Sequence, residues 1–94
     1  MAWAQPPSPE LEGTNFLFDQ YISLFIAIEE GNIALLGALE RIVGKLRLRK
    51  DEDIVHQGLT LLTNSMNDAC GVQDYLAAAF YRDMIAHYGR YILS

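Results

Sequence analysis

The residues of this chain that could do chemistry are few and scattered. His87 has Asp83 four positions before it, one helical turn away, and its simplest use is a helix-stabilising Asp–His pair. His87 also falls beside Phe80, Met84 and Tyr91, so a partly buried histidine with a satisfied ring outweighs a ligand or a catalytic base. His56 lies on a polar helix face and is far from His87. A metal ion needs several His, Cys or carboxylate groups converging, and no such spacing stands out, so no metal and no cofactor are expected. Cys70 sits near the end of a helix, the wrong end for an activated thiol, and reads as a small buried hydrophobe. Glu29 and Glu30 close a helix and read as solvated, and no glycine-rich phosphate loop is present. Arg82 and Arg90 share a polar helix side with no second basic group converging on them, which is weak support for an anion site.

The elements that must position these residues are helical. Residues 16–28 place Leu17, Phe18, Tyr21, Ile22, Leu24, Phe25, Ile26 and Ile28 on an apolar arc of roughly 200°, where a single core-facing stripe needs about 100°. A helix so apolar must be covered from more than one direction. The spacing predicts a first helix over 15–30, with Thr14 or Asn15 as its cap and Gly31-Asn32 as its stop. A second helix follows over 33–49, with Leu35, Leu36, Ala38, Leu39, Ile42, Val43 and Leu46 on one face. Gly37 and Gly44 lie on its other side, either as a close-approach surface for another helix or, more simply, as tolerated surface glycines. Five basic residues from Arg41 to Lys50 are followed at once by Asp51-Glu52-Asp53, the sign change that two abutting helix ends favour.

A third helix over 52–70 has the cleanest amphipathic pattern. Small residues on its apolar face (Gly58, Ser65, Ala69) suggest packing against a bulky neighbour such as the aromatic first helix. Gly71 is expected to break or kink the path before a fourth helix over 72–91; three helices with a long bent last one are the alternative. No period-2 alternation or hairpin signal points to a strand. Residues 1–13 hold all three prolines and a lone Trp3, and read either as a frayed, flexible tail or as a tail that docks through Trp3 on a groove or a neighbouring subunit.

The totals agree with a small helical domain. Ninety-four residues allow one domain. If residues 1–13 stay outside the core, about eighty residues must bury it, a size at which association often supplies missing burial. Twelve acidic residues against seven basic ones argue against a nucleic-acid partner. One cysteine excludes an internal disulfide and suits a cytoplasmic setting, and the first residues lack the pattern of a secretory signal. The apolar stretch at 16–28 is thirteen residues with Asp19 inside it, whereas a membrane span needs about twenty apolar residues. Helical enzymes of this length such as the chorismate mutases need several arginines on a long first helix, and here the first helix has no arginine or lysine.

The expectation is therefore an all-α, antiparallel four-helix bundle over 14–94, up-down-up-down, completed by dimerisation. Its function is expected to be non-enzymatic: an adaptor, small chaperone or assembly subunit whose partner is a protein, as a homodimer or hetero-oligomer. Phe18, Ile22, Phe25, Tyr81, Tyr88 and Tyr91 are the expected contact residues, because the first and last helices carry more apolar surface than one small core needs. The alternative is a small apolar ligand held between helices, in a cavity lined by Phe25, Phe80 and Met84 with His87 or a tyrosine as the polar group.

Overall fold

Four helices form where the apolar periodicity places them. The computed structural model describes residues 13–94, so the expectations for residues 1–12 lie outside the described residues. Helix α1 spans Thr14–Glu29, α2 Leu36–Arg47 after a 3-10 turn at Ile33–Leu35, α3 Asp53–Gly71 and α4 Tyr75–Tyr91. The described residues contain no strand, and the fold is an all-α, small four-helix bundle. No helix among them is long and apolar enough to cross a membrane.

The helix ends show how the sequence makes its turns. Gly13, not Thr14 or Asn15, occupies the cap position of α1. The Thr14 hydroxyl is used elsewhere: it donates to Glu52 Oε1 at 2.8 Å and accepts from Arg49 Nη1 at 3.4 Å. The start of α1 is thus tied to the turn between α2 and α3. Gly31 reverses the chain after α1 with φ of 110°, a conformation open to glycine and strained for other residues. Lys45 and Arg47 fill the last turn of α2 and Asp53 the first turn of α3, so each helix end meets the charge that its dipole favours.

The α3–α4 turn differs from expectation. Gly71 is the last residue of α3, so the helix stops there as expected, but a turn over residues 72–74 separates it from α4. The reversal falls at Gln73, whose φ is 61°, and Asp74 then starts α4 by accepting a hydrogen bond from the Ala77 N–H at 3.2 Å. That side-chain cap makes α3 and α4 two helices and starts α4 at Tyr75 rather than at Val72.

α3 and α4 pair along their lengths, α1 and α2 form the second hairpin, and α1 packs on both α3 and α4. The most apolar helix is therefore the one touched by all the others, as its wide arc requires. The main core joins Leu17, Tyr21 and Phe25 of α1 to Leu39 and Leu46 of α2, Val55 and Leu62 of α3, and Met84, Tyr88 and Ile92 at the α4 end. Gly58 is buried beneath Tyr88 and Phe18, so the bulky neighbour comes from α4 as well as from α1.

Farther along the α3/α4 hairpin, Ala69 and Ala78 are buried outside this main cluster. Here Cys70 is exposed, not the buried hydrophobe the sequence suggests. The physical reason is its place: α1 meets the α3/α4 pair through Glu52, Gly58, Met84, His87 and Tyr88, away from the end of the hairpin where Cys70 lies.

Candidate functional site

α1 and α4 supply a continuous run of rings. Phe18 meets Tyr88 edge-on at 5.8 Å, Tyr88 meets Tyr21 at 5.7 Å, and Tyr21 lies 5.9 Å from Phe25. Phe25 meets His87 at 5.3 Å, and His87 lies 4.6 Å from Tyr91. Four of the six expected contact residues (Phe18, Phe25, Tyr88 and Tyr91) are brought together in this run. Phe25 and Tyr88 are buried in the chain's own core, whereas Phe18 is half-buried and Tyr91 keeps 46% of its surface. Ile22 and Tyr81 are half-buried against the same core.

Tyr21 is the member that sequence reasoning did not single out. It repeats at four-residue spacing with Leu17 and Phe25, and all three are buried. The signal was present as that stripe, but eight apolar residues on one wide arc obscured it. The Tyr21 hydroxyl lies 2.8 Å from His87 Nδ1 and 3.4 Å from the Met84 carbonyl oxygen. Burial lowers the His87 pKa, which favours the neutral ring, and a neutral ring protonated on Nε2 accepts from the tyrosine through Nδ1. Burial and, secondarily, the nearby Tyr88 raise the Tyr21 pKa. Burial also pushes the Tyr88 phenol up to about 12. Tyr88 donates to the Val55 carbonyl, which ties α4 to α3.

His87 thus spends Nδ1 on Tyr21, and Asp83, its expected partner, lies 3.4 Å from Arg82. The pair anticipated one turn apart is replaced by two separate contacts, because α1 presents a buried hydroxyl to the imidazole. Among the described residues no group of three or more His, Cys, Asp or Glu side chains could hold a metal ion. His56 is exposed on α3.

α2 packs on α1 but not closely on α4. The gap between α2 and α4 is an open groove of about 310 Å³ lined by Leu36, Leu39, Glu40, Val43, Arg47, His87 and Tyr91. It opens beside His87, while Phe25 and Met84, expected to line a cavity there, are packed into the core. A second hollow of about 300 Å³ lies between α3 and α4, lined by Met66, Cys70, Tyr75, Ala78, Ala79 and Arg82. Beside it, at the turn joining the two helices, Val72, Tyr75 and Leu76 are 77%, 65% and 67% exposed. These three large apolar side chains fall within five residues of one turn, while Leu48 and Ile33 are comparably exposed at the ends of α2 and its 3-10 turn.

The described residues form a small all-α bundle with an aromatic core, an open groove between α2 and α4, a hollow between α3 and α4, and an exposed apolar tip at the α3–α4 turn. Comparison with protein-family models, curated proteins and solved structures finds no match to this chain.

Proposed function

We propose that this chain is a non-enzymatic protein-interaction module, an adaptor, small chaperone or assembly subunit of the cytoplasm, and that it works most simply by pairing with a second copy of itself. The observation that carries this reading is the apolar tip formed by Val72, Tyr75 and Leu76. Covering those side chains removes apolar surface from water at about 25 cal/mol per Å², a gain that the isolated chain forgoes. Of the contact residues expected from the sequence, Phe18, Ile22, Tyr81 and Tyr91 retain surface for a partner. Phe25 and Tyr88 serve by holding the scaffold beneath them.

Leu76→Glu tests the reading, because the side chain is two-thirds exposed and the charge can be solvated without disturbing the core. The variant keeps the helical circular dichroism of the parent and loses association. A variant that associates as tightly as the parent removes the tip from the interface.

A second reading is a binding protein for a small apolar ligand. It is favoured by the α2/α4 groove, whose volume lies near the lower end of the roughly 300–1,000 Å³ of ligand sites. Dye displacement together with a rise in melting temperature on adding apolar compounds supports it; no rise across a compound panel removes it.

A further inference from the structure

His87 has two ring nitrogens, and the fold uses one of them. Nδ1 lies 2.8 Å from the hydroxyl of Tyr21, which is itself fixed in the core. With Nδ1 accepting from the tyrosine, the ring proton sits on Nε2. Among the described residues Nε2 has no hydrogen-bond partner, and no buried side-chain nitrogen or oxygen is left without one, so Nε2 reaches solvent. His87 lines the α2/α4 groove. Tyr21 therefore orients an N–H donor whose free edge opens on that groove.

The wall opposite supplies a cation and an apolar surface. Arg47 lines the groove, is exposed, and pairs with no carboxylate among the described residues. Leu36, Leu39 and Val43 of α2 face the Tyr91 ring of α4 across the same opening. We propose that this groove binds a small apolar monocarboxylate, its acid group on Arg47 and the His87 Nε2–H and its hydrocarbon body along Leu36, Leu39 and Val43. This rests on the second reading above, that the groove takes an apolar small molecule, and gives that molecule its head group.

Charge and size decide between head groups. A carboxylate has two oxygens and accepts from both donors, and a guanidinium matches it well. Glu40 lies seven residues before Arg47 on the same helix, about 10 Å along the axis, so it opposes an anion at its own level and leaves the Arg47 end as the seat. A cationic head pairs with Glu40 alone and leaves the His87 N–H without an acceptor. The wall from Leu36 to Arg47 covers eleven helical residues, about 16 Å, and the groove holds about 310 Å³, which suits one short chain or one ring.

Octanoate is the probe, with 1-octanol and octylamine as its neutral and cationic counterparts, all at concentrations where none forms micelles. Titration calorimetry shows octanoate binding at least about threefold more tightly than either counterpart, the scale of an exposed ion pair. Arg47→Gln, at an exposed position, removes that preference and leaves octanol binding unchanged. Leu36→Glu, on the apolar wall, weakens both ligands. In nitrogen NMR spectra octanoate shifts the ring signals of His87, while those of His56, exposed on α3, stay in place. Octanol or octylamine binding as tightly as octanoate overturns the carboxylate assignment while the apolar-ligand reading stands. An unchanged preference in Arg47→Gln, or a His87 signal that does not move, overturns the assigned seat. No binding by any of the three overturns this proposal together with the reading on which it rests.

Discussion

Tyr88 lies directly over Gly58. A Cβ built at position 58 would sit 2.7 Å from the Tyr88 ring carbon Cζ and 2.9 Å from Phe18 Cε1. The ring has little freedom to retreat, since its hydroxyl bonds the Val55 carbonyl and its edge meets Tyr21 and Phe18. This one glycine lets α4 and α1 converge on α3.

Gly58→Ala therefore destabilises the fold although alanine is the better helix former. Overpacking costs about 1–3 kcal/mol and opposes the roughly 1 kcal/mol that alanine gains over glycine in a helix. Urea unfolding shows a lower midpoint than the parent. An unchanged or higher midpoint means that Tyr88 yields freely and that the close approach is not a constraint.

Gly37→Ala and Gly44→Ala act in the opposite direction. Both glycines are exposed on α2, and nothing lies within 4 Å of a Cβ at either position. Each substitution stabilises the chain by up to about 1 kcal/mol through helix propensity alone. A loss of stability in either variant points to a partner surface pressed against that side of α2.

These three glycines show what the sequence makes legible. All three stand inside helical patterns, and pattern alone marks Gly58 as the one on an apolar face. It does not tell that the occupant is Tyr88 from α4 together with Phe18, because a period of 3.6 fixes the face a residue shares but not which helix crosses it. The four helices were readable for the same reason: each has a sustained apolar stripe and a stop. The α3–α4 turn was readable only in part, since Gly71 is the obvious breaker while Gln73 and the Asp74 cap make the reversal. Of the site, His87 was visible as a ring among apolar residues. Its partner was not, because Tyr21 is separated from it by 66 positions.

Stability falls in mild acid because of His87. Burial lowers its folded pKa below the ordinary 6.5, so the unfolded chain takes up the proton first as the pH drops. The contribution of the neutral ring is complete above about 6.5 and is lost as the pH falls through the lowered folded value. The ring faces Tyr21 and Tyr91, and Glu40 and Arg47 line the same groove. Urea midpoints measured between about pH 8 and pH 5 decline in the parent and decline less in His87→Gln, whose amide keeps hydrogen-bonding capacity without titrating. Equal slopes in the two proteins remove His87 as the cause.

Self-association through the apolar tip is tested most directly by light scattering on a size-exclusion column across a concentration series, comparing the parent with Leu76→Glu. The proposed interface predicts a parent mass that rises from monomer to dimer with concentration and a variant that stays at the monomer mass. A parent that remains monomeric at every concentration, or a variant that dimerises as the parent does, contradicts it.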